Sequence, residues 1–168
     1  RVDIIKWINR ILSWEPNARI VLHGVSMGAA TVLMASGEDL PGNVKAVIAD
    51  CGYTSEWDEF QREADALHIP WFPVLNATSV LSKIRDGYDF KQASALAQVK
   101  KSRIPTLFIH GSSDELVPYS MLGELYAAAA CEKEELTVEG AGHALSSSVA
   151  PTLYWRTVED FIAKYLDR

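Results

Sequence analysis

Apolar residues follow two alternating patterns along the chain, one with helical spacing and one of short unbroken runs. Residues 2–14 carry Val, Ile and Leu every three or four positions, which predicts an amphipathic helix ended by Pro16. The run "RIVLH" at 19–23 is short and rich in branched side chains, so it predicts a strand buried on both faces. Residues 27–36 then have the pattern of a second helix, stopped by Gly37.

The same alternation returns further along the chain. Short apolar runs predict strands at 44–50 and 105–111, the segment "EELTVEG" predicts another at 134–140, and helical patterns occupy 118–131 and 152–165. Strands that alternate with helices favour right-handed crossovers and a parallel sheet. The 168 residues are therefore expected to form a single α/β domain, with about four parallel strands and flanking helices.

Residues 53–100 interrupt this alternation. The segment is too long for an ordinary connection and has no strand pattern, but stretches around 55–67 and 77–86 have helical patterns. We expect an inserted helical unit that is rich in aromatic side chains, including Trp57, Phe60, Trp71 and Phe72.

Composition narrows the class of protein. Hydrophobic residues make up 48% and charged residues 23%, as in ordinary globular domains. The net charge of −6 disfavours nucleic acid as a partner, because phosphate binding needs clustered Lys and Arg. Cys51 and Cys131 form neither a disulfide framework nor a metal-ligand spacing, so both are expected to be small buried side chains. No apolar run approaches the length of a membrane span, and no secretory signal opens the chain.

The most specific motif is Gly24-Val25-Ser26-Met27-Gly28, between a predicted strand and a predicted helix. It matches the G-x-S-x-G nucleophile elbow, a sharp turn that lifts a serine hydroxyl above the carboxyl end of a sheet. We expect both glycines to relieve backbone crowding, and the Met27 N–H to point toward a developing oxyanion. The alternative is a chance glycine and serine turn.

A serine nucleophile needs a general base, and His143 is the best placed of the four histidines. It lies in the glycine-rich loop "EGAGHALS" after the last predicted strand, where it can reach over the edge of the sheet. His23 and His110 end strands and are expected to be structural, and His68 is expected to make a local contact in the insert.

The base in turn needs a carboxylate to orient it, and Asp114 follows the third predicted strand. Its alternative role is to cap the helix that begins near Pro118. Asp50, which ends the second strand, is a competing candidate for the acid. The order Ser26, Asp114, His143 is the order that elbow enzymes of this architecture require.

Four segments together resemble the α/β-hydrolase superfamily: "GVSMGAA", "ADCGYTS", "IPTLFIHGSSDELVP" and "GAGHA". The pieces "DCGYTS" and "GVSMGA" are similar to the membrane-anchored or cytosolic serine hydrolases called BEM46-like. The resemblance covers nearly the whole chain. It implies that the insert 53–100 caps the active site, with Trp57, Trp71 and Phe72 binding an apolar substrate group. In the alternative, these aromatic residues only pack the cap onto the sheet.

The resemblance also implies eight strands, of which the sequence shows the last four. We therefore expect the chain to be the C-terminal part of a hydrolase, with a second oxyanion donor and any signal or anchor on an upstream part, which leaves localisation open. The strand at Arg19–His23 would then be an unpaired edge. Its expected partner is a second copy of the chain or the missing N-terminal half; in the alternative, the first helix shields the edge.

The functional hypothesis is a serine hydrolase that cleaves a carboxylic ester or thioester of a small-molecule acyl substrate through an acyl-enzyme on Ser26. No cofactor or metal is implied. Peptidase or amidase chemistry would use the same residues, because fold alone does not fix the leaving group. A catalytically inert fragment that acts only in assembly is the third hypothesis.

Overall fold

A computed structural model describes residues 1–166 of the protein. Its strands are β1 (Ile20–Val25), β2 (Val44–Asp50), β3 (Thr106–Gly111) and β4 (Lys133–Val138). Its helices are α1 (Val2–Trp14), α2 (Met27–Ser36), α3 (Glu56–Ala66), α4 (Trp71–Asp86), α5 (Ala95–Val99), α6 (Ser120–Ala128), α7 (Ser146–Val149) and α8 (Pro151–Tyr165). The strands form one sheet in the order β1-β2-β3-β4, and every pair is parallel. The predicted α/β fold with a four-stranded parallel sheet and flanking helices is confirmed.

The register of the strands brings their carboxyl ends to one edge of the sheet. Val25 pairs with Asp50 across β1 and β2, and Gly111 pairs with Val138 across β3 and β4. Loops that follow the strands therefore meet at this edge, which is where open α/β sheets bind ligands. We refer to it below as the carboxyl edge.

Two hydrophobic clusters cover the two faces of the sheet. Alternate residues of β2 point to opposite faces, so Val47 and Ala49 belong to one cluster while Ala46 and Ile48 belong to the other. The first cluster includes buried residues of α1, α2, α5 and α6, and the second includes those of α8. The sheet thus lies between two helical layers, which explains why the central strands β2 and β3 are nearly unbroken apolar runs.

The inserted segment differs in detail from the prediction. Helix α4 begins at Trp71, and the backbone of Phe72 is not helical and kinks it. The two ends of the segment 53–100 belong to the main core, through Tyr53, Ala93, Ala95 and Val99. An isolated bridge between Ser55 and Ser94 closes the insertion. The part that stands outside the core is therefore α3, α4 and their loops, shorter than predicted.

Strand β1 lies at the edge of the sheet and, among residues 1–166, pairs with β2 alone. Val25, Leu153 and Trp155 are exposed large apolar side chains on β1 and α8. None of the helices within residues 1–166 combines the length and apolar character that a membrane crossing requires.

Candidate active site

The four loops after the strands each bring one chemically active side chain to the carboxyl edge. Ser26 follows β1, Cys51 follows β2, Asp114 follows β3 and His143 follows β4. Three residues of these loops have positive φ angles without being glycine: Ser26 (55°), Cys51 (48°) and Ala144 (58°). Such backbone is uncommon and clusters at functional sites, where the surrounding structure holds it in place.

Ser26 occupies a sharp turn between β1 and α2. Its amide donates to the Asp50 carbonyl at 2.8 Å, which ties the turn to the neighbouring strand. A methyl group on Gly24 would lie 2.2 Å from the carbonyl oxygen of Gly28, so only glycine fits there. Gly28 itself has open space around the same position, so the expected crowding there is wrong. Its carbonyl, not its missing side chain, forms the close contact.

A continuous hydrogen-bond chain joins Ser26, His143 and Asp114, the three residues predicted as nucleophile, base and acid. The Ser26 hydroxyl donates to His143 Nε2 at 2.7 Å, and His143 Nδ1 donates to Asp114 Oδ2 at 2.8 Å. The Asp114 side chain is fully buried, whereas 20% of the His143 side chain is exposed. Because the carboxylate accepts at Nδ1, the imidazole presents its unprotonated Nε2 to the serine.

Asp114 has its two oxygens divided between two tasks. Oδ1 accepts from the amides of Leu116 and Val117, both at 2.9 Å, and this fixes the loop after β3. Oδ2 faces His143. The buried His110 ring supports the arrangement, since its Nε2 donates to the Val117 carbonyl at 3.0 Å and lies 3.3 Å from Asp114 Oδ2. The sequence predicts that His110 is structural but does not indicate its contact with the Asp114 carboxylate.

Asp50, the competing acid, bonds to other groups. Ser146 Oγ donates to its Oδ1 at 3.2 Å, and the Tyr154 hydroxyl is a second donor to the carboxylate. Tyr154 also accepts from His23 Nε2 at 3.0 Å. Burial raises the pKa of the Asp50 carboxyl, and these hydrogen bonds offset part of that rise. Asp50 therefore anchors α7 and α8 to the sheet.

Cys51 lies beside the hydrogen-bond chain, with its sulfur within 4.8 Å of an Asp114 oxygen and a His143 nitrogen, although the sequence predicts only a small buried side chain there. Its thiol is fully buried, and burial raises its pKa to about 12. The amides of Ala144 and Ser26 contact the sulfur. Its position after a strand, next to Asp50, was the signal that could have brought attention to it. Cys131, the other cysteine, is partly buried at the opposite end of the sheet.

The aromatic residues of the insert lie on α3 and α4. Trp57 and Trp71 meet edge to face with 6.4 Å between ring centres, and Lys91 Nζ lies 4.3 Å above the Trp57 ring. Trp71 lines an apolar groove of about 280 Å³ between α3 and α4, together with Phe60, Leu67, Ile69, Val74 and Phe90. Phe72 is 66% exposed. Neither Ser26 nor His143 lines this groove, so the structure does not bring the aromatic set into contact with the serine.

A second cavity, of about 520 Å³, lies next to the turn that holds Ser26. Its lining includes Met27, Thr31, Met34, Tyr53 and Glu56, so apolar and acidic groups share it. Glu59, one turn further along α3, pairs with Arg62 at 2.8 Å. Burial raises the pKa of the Glu59 carboxyl, while Arg62 opposes that rise.

Comparison with known proteins places this geometry in a family. The sequence model of the prolyl oligopeptidase family matches residues 2–168. The protein YqkD of Bacillus subtilis is 31% identical over 163 residues, which are 95% of this chain and 53% of YqkD. The chain spans about half the length of the curated relatives it matches.

Solved structures show the same fold. The acylaminoacyl peptidase of Pyrococcus horikoshii matches 98% of this chain with a TM-score of 0.70 and 18% identity, over 27% of its own length. An esterase of Pyrococcus furiosus matches 98% of the chain with a TM-score of 0.72 and 18% identity, over 61% of its own length. At these identities the likeness concerns the fold, which is that of the α/β hydrolases.

Proposed function

Because the chain belongs to the prolyl oligopeptidase family of serine hydrolases, we propose that it cleaves a carboxylic ester or thioester through an acyl-enzyme on Ser26. The observation that carries the proposal is the hydrogen-bond chain from Ser26 through His143 to Asp114, with contacts of 2.7 and 2.8 Å. These are the distances at which a nucleophile, a general base and an orienting carboxylate work together.

The proposed reaction follows from the protonation states that the contacts favour. Ser26 Oγ attacks the acyl carbonyl carbon while His143 Nε2 takes its proton, and Asp114 stabilises the imidazolium that forms. The imidazolium then gives the proton to the leaving alcohol or thiol. Water, deprotonated by His143, attacks the acyl-enzyme, releases the acid and restores Ser26.

The oxyanion of each tetrahedral intermediate needs hydrogen-bond donors. Met27 is the first residue of α2 and directly follows Ser26, so its amide has no acceptor within the helix. We assign it as a donor, strengthened by the positive end of the helix dipole.

The helical insert supplies the proposed substrate preference. Its groove between α3 and α4 has an almost wholly apolar lining, which suits an acyl chain, and Trp57 packs against Trp71 at one side of it. We assign Trp57, Trp71 and Phe72 to the binding of the apolar acyl group.

A fluorophosphonate probe tests the proposal, since it forms a covalent bond only with an activated serine. We expect Ser26 to be the labelled residue, identified by peptide mass spectrometry, and Ser26→Ala to abolish both labelling and turnover of a p-nitrophenyl ester. Loss of a serine nucleophile lowers kcat on the order of 10⁴-fold or more. Ser148→Ala is the matched control, because Ser148 is exposed and outside the hydrogen-bond chain. An unlabelled Ser26 in the folded chain would favour the third hypothesis, a catalytically inert assembly fragment.

Peptidase or amidase chemistry is the second candidate, favoured by the family and by the acylaminoacyl peptidase neighbour. A p-nitrophenyl ester and a p-nitroanilide with the same acyl group separate the two. We expect the ester to react faster than its greater intrinsic reactivity alone would explain. Equal or better turnover of peptide-like amides would replace the esterase proposal.

A partner for the edge of β1 is also proposed. An edge strand offers unpaired backbone groups to another strand, here from a second copy of the chain or from an N-terminal half like that of the longer relatives. Sedimentation velocity over a range of concentrations tests the first option. A mass that stays that of the monomer at every concentration would exclude a homodimer and leave only the N-terminal half.

A further inference from the structure

The buried thiol of Cys51 has no task in the proposed reaction, although it lies beside two residues that do. The loops after β2, β3 and β4 bring one atom each from Cys51, Asp114 and His143 within 4.8 Å of one another. These atoms are a thiol sulfur, a carboxylate oxygen and an imidazole nitrogen. The residues are far apart in the sequence, so no metal-ligand spacing reveals them.

Thiolate, imidazole and carboxylate are the three ligand types that proteins offer to zinc. Bond lengths of about 2.0–2.3 Å put the ligand atoms of a tetrahedral site about 3.3–3.8 Å apart. To reach that geometry from atoms within 4.8 Å of one another, the sulfur must move closer by up to about 1.5 Å, and the nitrogen and oxygen, now 2.8 Å apart, must separate by about 0.5 Å. The exposed fifth of the His143 side chain marks the side from which an ion enters and on which water completes its coordination.

We propose that Cys51, Asp114 and His143 form a binding site for Zn²⁺, and that the bound ion inhibits the hydrolase. The binding site stands by itself, while the inhibition rests on the proposed function. The ion takes the place of the proton shared by His143 Nδ1 and Asp114 Oδ2, which are 2.8 Å apart.

The proton balance explains the inhibition. The Cys51 thiol releases its proton to solvent as the zinc–sulfur bond forms. The proton of His143 Nδ1 moves to Nε2, so the imidazole stays neutral while Nδ1 binds the ion. Nε2 then carries a hydrogen and cannot accept the proton of Ser26, which removes the general base. Zn²⁺ thereby holds the His143 imidazole in the tautomer that cannot deprotonate Ser26.

The ligand set also predicts selectivity. Mg²⁺ and Ca²⁺ prefer oxygen ligands in larger numbers, so neither ion is expected to bind here at concentrations where Zn²⁺ or Cd²⁺ does. Cd²⁺ has the same preference for sulfur and gives a thiolate charge-transfer band in the ultraviolet. It therefore reports the bond to Cys51 directly, whether or not the chain turns over a substrate.

The test titrates the folded chain with Cd²⁺ and follows this band. We expect a saturable band in the wild type and its loss in Cys51→Ser, because the band comes from the bond between Cd²⁺ and the Cys51 thiolate. Cys131→Ser is the matched control and keeps the band, because Cys131 lies at the opposite end of β3 beside Thr106. Cys51→Ala, checked by circular dichroism, serves if the serine variant fails to fold.

Inhibition is measured separately, as the rate of fluorophosphonate labelling with and without Zn²⁺, each variant being compared with its own metal-free rate. We expect Zn²⁺ to slow the wild type and Cys131→Ser at least tenfold more than Cys51→Ser. A band that disappears with Cys131→Ser, or the absence of any band in the wild type, would overturn the site. Equal inhibition of wild type and Cys51→Ser would overturn the inhibitory role. If the metal-free chain is not labelled, the proposed function fails, and the Cd²⁺ titration still decides the site.

Discussion

Polar side chains at the carboxyl edge of the sheet are buried and hydrogen-bonded, whereas several on the inserted helices α3 and α4 have one buried atom without a partner. Asp50, His110 and Asp114 are all less than a tenth exposed, and each has a hydrogen-bond partner. Among residues 1–166, four of the five residues with a buried side-chain oxygen or nitrogen that lacks a partner lie on α3 or α4: Glu56, Glu59, Arg62 and Asn76.

Apolar side chains show the same contrast. Strands β2 and β3 are nearly wholly buried, although the edge strands β1 and β4 are not, while α3 has no buried residue and α4 has only Leu75, Ser79 and Ser82. Large apolar residues of the insert are exposed instead, among them Leu67, Phe72, Val80, Leu81 and Ile84. A fixed geometry at the sheet suits bond breaking, which tolerates little displacement of the reacting groups. An incompletely packed insert suits substrate binding, because it can adapt its shape.

The largest expected effect concerns Asp114, the acid at the carboxyl edge of the sheet. Asp114→Asn keeps the size of the side chain but removes the charge that holds the His143 tautomer, so kcat should fall on the order of 10⁴-fold. Asp50→Asn is the isosteric comparison and should lose less than about tenfold, since Asp50 bonds to Ser146 rather than to His143. Steady-state turnover of a p-nitrophenyl ester measures both. A larger loss in Asp50→Asn would exchange the roles of the two carboxylates.

Substitutions of the two glycines beside Ser26 test how rigid the turn at the carboxyl edge is. Gly24→Ala pushes a methyl group into the Gly28 carbonyl and should cost about 3 kcal/mol of unfolding free energy. For a domain of this size that lowers Tm by about 6–12 °C. Gly28→Ala meets open space in the first turn of a helix, so Tm should be unchanged or slightly higher. Calorimetry measures both, and equal losses would mean that the turn adapts.

The insert should respond in substrate preference rather than in chemistry. Replacing Trp71 and Phe72 together with alanine should lower kcat/KM for long-chain esters about tenfold more than for acetate esters, because only a long acyl chain reaches an apolar groove. Of this pair, Trp71 lines the groove and Phe72 packs against it with 6.4 Å between ring centres. Ile84→Ala is the control, since Ile84 is 78% exposed and neither lines the groove nor stacks on Trp71. Equal losses on long and short esters would show that the aromatic pair only holds the insert together.

The smallest effect is a change in the pH dependence of stability. Burial raises the folded pKa of Asp50 above its ordinary value of 3.8, so the unfolded chain gives up that proton first as the pH rises. The ionised carboxyl therefore costs stability, and the cost grows from the ordinary pKa up to the raised one. The Tm of Asp50→Asn relative to wild type should accordingly rise from about pH 4 toward pH 7. Parallel Tm curves would mean that the hydrogen bonds fully offset the burial.

The sheet and its carboxyl edge were also easier to predict from the sequence than the inserted helices. Strand β2 was predicted with its observed bounds because a parallel strand in a sandwich of helices needs an unbroken apolar run. Ser26 and Asp114 were predicted because each follows such a run, and His143 because it lies in a glycine-rich loop after the last predicted strand. The residues that the sequence did not reveal, His110 beside Asp114 and Cys51 beside His143, touch the site only through tertiary packing.

The insert resisted prediction for physical reasons. Pro73 two residues into α4 favoured a loop, yet the helix continues beyond it as far as Asp86. Helix α5 is too short to show a periodic pattern, as is α7 outside the insert. The bounds 53–100 included residues that pack in the main core, because aromatic and alanine side chains fill cores and caps alike.

The hydrogen bond between Ser26 and His143 joins residues 117 positions apart in the sequence. The two residues lie in the loops after β1 and β4, which are the two edge strands of the sheet. Strands β2 and β3 must pair, and the loop after β4 must close, before those two side chains can meet. Contacts between distant parts of a chain form late in folding, because they require the largest loss of chain entropy. In a refolding experiment, fluorophosphonate labelling of Ser26 should therefore recover after the helical circular dichroism signal. Its rate would measure the last step of folding, in which Ser26 and His143 meet.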